Sequence, residues 1–98
     1  MQTFGGTWSQ VGIAGKTADV YEPARPAEPG RAILHLHGHG LSTLKDNPAF
    51  SAELDRRGLR AVCPHGARSW WLDVVCREFD ETLTPLAFLT DHVVPFFA

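Results

Sequence analysis

Along the first third of the chain the apolar positions fall into short β-prone runs. Thr7 to Ile13 reads as a strand, Gly15-Lys16 as a turn, and Thr17 to Glu22, "TADVYE", as a second strand, so the pair predicts an antiparallel hairpin. "PARPAEPG", residues 23–30, is a surface loop by its prolines and glycine. Arg31 to His37 is then continuously apolar apart from Arg31 itself and the histidines. That pattern suits a strand buried on both faces of a parallel sheet.

The rhythm then becomes helical. In "DNPAFSAELDRRG", Asn47 can cap a helix, Pro48 fits its first turn, Phe50 and Leu54 share a face, and Gly58 can end it. Asp55-Arg56-Arg57 reads as a solvated helix end. "LRAVCP", residues 59–64, is the next apolar strand, which completes a right-handed βαβ unit. "HGARSWWLD" is a loop. "TPLAFLTDHVVPFFA" predicts a last helix with Thr84 as cap, Pro85 in its first turn, and an apolar stripe of Leu86, Leu89, Val93 and Phe97. Pro95 should kink it. The order β-β-β-α-β-α opens an α/β sheet and ends where a further strand is due, so the chain reads as cut.

Composition narrows the classes. The chain has 98 residues, 44% of them hydrophobic, and a formal net charge of −2. That describes one small globular domain, with no basic stripe for nucleic acid or an acidic membrane. The N-terminus lacks the pattern of a signal peptide, and no apolar run approaches the ~20 residues that span a bilayer. A cytoplasmic protein is the expectation. Cys63 and Cys76 are not in CxxC spacing. Cys63 falls in a buried strand, where an inert thiol is expected, and Cys76 has no flanking base.

Candidate chemistry centres on "HLHGHG", residues 35–40. His35, His37 and His39 alternate as zinc ligands on one strand face could. Gly38 and Gly40 argue against continued strand geometry, and no Asp follows to complete an HxHxDH pattern. The backbone reading is stronger. A buried parallel strand ending in His-Gly-x-Gly places pliable backbone at the carboxyl edge of the sheet, where open α/β folds build their sites. Converging N–H groups there can stabilise the oxyanion of a tetrahedral intermediate. In α/β hydrolases that loop follows the third strand, and here the HGxG strand is also the third.

"HLHGHGLSTLKDNPAF", "GLRAVCPHGARSWWLD" and "EFDETLTPLAFLTDHVVPF" together resemble the N-terminal part of the esterase D-like branch of the α/β-hydrolase superfamily. The resemblance covers most of residues 31–97 and is most specific in HGHG, KDNP and CPHGxRSWWLD. It implies the first half of a mostly parallel sheet, three-layered when complete, within a single domain. It also implies a Ser–His–Asp/Glu hydrolase of small-acid esters or thioesters, with no cofactor. Such families hold their nucleophile in a GxSxG elbow. Ser9, Ser42, Ser51 and Ser69 are not in that motif, so nucleophile, acid and base are expected outside residues 1–98, and this chain alone is expected to be inactive.

Within that frame His39, Gly40 and Leu41 are the candidate oxyanion donors, with a simple glycine turn as the alternative. His37 and Gly38 are expected to support the loop, and His35 to be a satisfied core histidine. Trp70 and Trp71 should point to opposite sides, one of them towards the acyl group. Asp73 would anchor their loop through backbone hydrogen bonds. The partner expected is a small-molecule ester, with self-association through the exposed strand 31–37. Two rival readings remain: a metal-dependent hydrolase using the three histidines, and a non-catalytic βαβ module that binds through its sheet edge.

Overall fold

The hairpin turns one residue earlier than its glycine suggests. In the computed structural model, which describes residues 5–28 and 31–97, Ala14 and Gly15 form the turn with φ of +50° and +79°. Positive φ at both central residues is what a two-residue hairpin with the right twist requires. Lys16 therefore joins the second strand, opposite Ile13. The strands are β1 (Thr7–Ile13) and β2 (Lys16–Glu22). They are followed by β3 (Ala32–Leu34), a 3₁₀ turn at Leu44–Asp46, α1 (Pro48–Arg56) and β4 (Arg60–Pro64).

The four strands lie in the order β1-β2-β4-β3. β1 with β2 and β2 with β4 are antiparallel, and β3 runs parallel to β4. The sheet is thus mixed and not mostly parallel. The leading hairpin sends β2 back against β4, and the βαβ unit supplies the one parallel pairing among the described residues. β3 is also shorter than residues 31–37. His35 N–H still reaches Val62 O at 3.0 Å, but beyond it the chain turns away to bring His37 inward.

Alternation along β2 and β4 divides the core between the two sheet faces. Val20 and Val62 join Ile13, Phe79, Phe88, Leu89 and Val93 in one cluster. Tyr21 and Ala61 join Leu54 of α1 in the other, with Trp8, Ile33 and Leu59 alongside. Asn47 caps α1 by accepting from Phe50 N–H at 3.0 Å. Leu54 is buried, whereas Phe50 stays exposed. At its far end Asp55 is no solvated charge, unlike Arg56 and Arg57, which pair with Glu53 in solvent. Its carboxylate accepts from the Tyr21 hydroxyl at 2.9 Å and from the N–H groups of Gly5 and Ala24. The backbone bond from Ala24 leads the contacts that hold its pKa below the ordinary range.

The final helical segment comprises α2 (Pro85–Phe88), a π turn at Leu89–Val93 and α3 (Val94–Phe97). Thr84 caps it through Ala87 N–H. The wide turn lies just before Pro95, whose missing N–H and bulky ring disfavour regular α pairing there. The buried face is Pro85, Phe88, Leu89 and Val93, and Leu86, expected in the apolar stripe, is exposed. Phe97's side chain lies outside the described residues. No helix among the described residues is long and apolar enough to cross a membrane.

Candidate active site

Residues 35–41 leave β3 at its carboxyl end, and the loop is clamped at His37. This side chain is 5% exposed. Its Nε2 accepts from Gly66 N–H at 2.9 Å, so the ring proton sits on Nδ1, which donates to Gly38 O at 2.8 Å. Both ring nitrogens are engaged, which leaves no lone pair for a metal. Among the described residues no group of three or more His, Cys, Asp or Glu side chains could hold a metal ion. His35 differs from its expectation. It is half-buried, and its Nδ1 is buried without a hydrogen-bond partner among the described residues, because the strand bonds at this point use its backbone. Burial first, then the electrostatic influence of His37, lowers its pKa from the usual 6.5.

Past His37 the chain makes a tight turn, closed by Leu41 N–H to Gly38 O at 3.0 Å. That bond occupies one of the three oxyanion candidates. The N–H groups of His39 and Gly40 donate to no group among the described residues, and both residues are exposed. The left-handed backbone falls not on a glycine but on Leu41, with φ of +65°. A Cβ added at Gly38 or Gly40 would meet nothing within 4 Å. The two glycines are therefore not needed by the fold of this chain. What they leave is bare backbone facing open space, which suits close approach of a ligand.

The wall opposite is the 65–73 loop that follows β4. Trp71 Nε1 donates to His37 O at 3.1 Å, and the two rings pack at 5.1 Å. The indole lies directly on Gly66, where a Cβ would come within 2.5 Å of it, so no larger residue fits there. Trp70 points the other way, 66% exposed, and stacks on His39 with centroids 5.7 Å apart. Ala67, Trp70 and Trp71 all have positive φ, between 51° and 57°. Such conformations cost on the order of 1–3 kcal/mol each and gather at functional sites. Asp73 receives a hydrogen bond from the Thr84 hydroxyl at 2.8 Å, tying this loop to the last helix through a side chain and not through backbone.

Architecture and loop can be set against solved structures. The computed model superposes on an S-formylglutathione hydrolase from Agrobacterium tumefaciens with a TM-score of 0.63, over 98% of this chain, at 18% sequence identity. The chain has the fold of part of an α/β hydrolase. It spans 44% of the length of that hydrolase. No family model and no curated protein matches the sequence. In this sheet the loop after β3 leaves the carboxyl end of the parallel β3–β4 pair.

Two features of this region had no signal in the sequence. Gly66 appears there as an ordinary loop residue, and its roles depend on His37, 29 positions away, which accepts from its N–H, and on the Trp71 indole that lies against it. Asp19 and His65 meet at 3.0 Å, with Thr43 and Thr17 on either side. They stand on β2, after β4 and beside the 3₁₀ turn, and no spacing announces them.

Proposed function

We propose that residues 1–98 are the N-terminal part of one serine-hydrolase domain that cleaves carboxylic esters or thioesters, and that the HGHG loop supplies its oxyanion hole. One observation carries this reading: the exposed N–H groups of His39 and Gly40, without internal acceptors, at the carboxyl end of β3 on a loop held by the buried His37. Donors fixed in advance stabilise the developing oxyanion without reorganising, and each is typically worth ~10²–10³ in kcat. Leu41 ranks last among the three, since its N–H closes the turn.

Gly38 and Gly40 let a carbonyl oxygen reach this backbone, and the exposed face of Trp70 offers an apolar wall to a short acyl group. The nucleophile, acid and base belong to strands outside residues 1–98. Ser51 is buried in α1, and the Ser69 hydroxyl accepts from Trp71 N–H, so neither has the setting of a nucleophile. A short acyl thioester, of the kind in the name of the similar hydrolase, is the favoured substrate class.

The test uses the longer polypeptide that joins this chain to its nucleophile-bearing strands. His39→Pro and Gly40→Pro each delete one N–H, and at least one should lower kcat by ~10² with the fold intact. Gly40→Ala, which meets no neighbour, controls for stability. If neither proline changes kcat by more than about threefold, the oxyanion assignment fails.

A further inference from the structure

Four polar side chains, Thr43, Asp19, His65 and Thr17, form a hydrogen-bonded series at the hairpin end of the sheet. Asp19 on β2 is 4% exposed. Its Oδ2 accepts from the Thr43 hydroxyl at 2.8 Å and from His65 Nε2 at 3.0 Å. Burial alone would raise this carboxyl, but the hydrogen bonds from His65 and Thr43 outweigh it and the pKa lies below 3.8. An ionised carboxylate can only accept, so the imidazole proton is on Nε2 and Nδ1 carries a lone pair. That lone pair faces Thr17 Oγ1 at 3.0 Å. Thr17 is exposed and lines a cavity of about 380 Å³ together with His65, Leu41, Ala67 and Phe79.

Acid buried, base half-buried, hydroxyl exposed: this is the gradient that activates a hydroxyl nucleophile. A purely mechanical fastening explains it less well. His65 N–H already bonds Thr17 O at 3.0 Å, so the strands are joined at this point by backbone. Asp19 Oδ1, meanwhile, is buried without a hydrogen-bond partner among the described residues, a cost that joining two strands does not require.

We propose that Thr17 is an acyl acceptor, with His65 as its general base and Asp19 orienting the imidazole. Its substrates are activated esters of short acids that fit the cavity. Thr17 Oγ1 attacks the carbonyl carbon and forms a C–O bond while its proton passes to His65 Nδ1. The bond to the alcohol then breaks, and the leaving oxygen takes that proton back from His65. The products are acyl-Thr17, free alcohol and neutral His65, with no co-reactant. The ring nitrogens serve in the reverse sense to the common serine triad, but roles and geometry define such a relay. The cavity shares Leu41 and His37 with the oxyanion loop, but the proposal does not depend on the oxyanion reading.

The experiment treats the 98-residue chain with p-nitrophenyl acetate at neutral pH and locates acetyl groups by fragment mass spectrometry. Hydroxylamine distinguishes an ester on Thr17, which it strips, from an amide on neighbouring Lys16, which it leaves. One hydroxylamine-labile acetyl on Thr17 is expected, retained in Thr17→Ser and lost in Thr17→Val. His65→Gln can still hydrogen-bond both neighbours but takes no proton, and should slow labelling by about 100-fold. If that variant melts early, the Thr17→Ser and Thr17→Val pair, altered at an exposed side chain, carries the test. Acetylation confined to amines, or labelling of Thr17→Val equal to wild type, overturns the proposal. So does a wild-type rate in folded His65→Gln.

Discussion

Replacing His37 with leucine removes two hydrogen bonds while keeping most of the side-chain volume. Gly66 N–H, buried at the base of the 65–73 loop, loses its acceptor. A buried donor left unpaired costs about 1–3 kcal/mol, whereas Gly38 O, on an exposed residue, can turn to water. Leucine still fills the space against Trp71, so the cavity contribution is small. The sum is about 2 kcal/mol, or a fall in Tm of roughly 8–16 °C for a domain of this size. His35→Leu should behave oppositely, since it deletes a buried Nδ1 that bonds to nothing described. Stability should hold or rise by up to about 1 kcal/mol. The pair also differs in pH dependence. Burial keeps His35 below its usual 6.5, so below that pH the unfolded chain binds the proton more readily than the folded one. Stability therefore rises with pH up to about 6.5 and is lost as pH falls below it; His35→Leu flattens that slope. Urea melts followed by tryptophan fluorescence at pH 5.5 and 7.5 read both effects. A His37→Leu variant within about 0.5 kcal/mol of wild type, or a His35→Leu variant equally damaged at pH 7.5, would refute the assignment of bonds at these rings.

Tyr21 is the one tyrosine in the sequence, and burial, followed by its hydrogen bond to Asp55, pushes its pKa up to about 12 from 10.0. An ultraviolet absorbance titration should show phenolate appearing near the upper value, and stability should fall as pH rises beyond the unfolded value of 10; ionisation close to 10 in folded protein would contradict the buried contact. β3 pairs on one side with β4, and we expect its other edge to take a second copy of this chain. Ile33 and Leu34 pack on the two core clusters, so a lysine there would damage the core; Leu36, 40% exposed, is the cleaner site. Light scattering should find wild type self-associating and Leu36→Lys monomeric, and a wild-type chain that stays monomeric at high concentration removes this expectation.

Local signals were legible in the sequence wherever a few neighbouring residues decide the outcome. The Asn47-Pro48 and Thr84-Pro85 caps stand where the sequence places them, because a cap is satisfied within three residues. The hairpin strands are right to within a residue, since alternation and turn chemistry fix them. Errors came where distant partners or backbone strain decide. Nothing near Leu34 says that β3 stops there; the reason is His37 turning to Gly66. Leu86 faces out because the buried stripe runs through Pro85 and Phe88 instead, and the choice between two adjoining apolar faces of one helix is made by the core it meets. The mixed sheet depends on β2 meeting β4 across more than forty residues. In the candidate site the loop was legible, and its turn falls on His39 and Gly40, but the left-handed backbone of Leu41 and the Asp19–His65–Thr17 series were not.

The strand order has a consequence during synthesis. β4 lies between β2 and β3, so the inner edge of β2 stays unpaired, and β3 has no partner, until residues 60–64 exist. Val20 is made roughly forty residues before Val62, its partner, which at about 5–20 residues per second leaves the hairpin waiting for roughly 2–8 s. Through that interval the inner edge of β2, with Val20 and Tyr21 destined for full burial, is open to any passing strand. The nascent chain is thus most vulnerable to mispairing in the window between its hairpin and its fourth strand. Codon changes that slow translation of residues 23–59 should lower the yield of folded protein more than the same changes placed after residue 64.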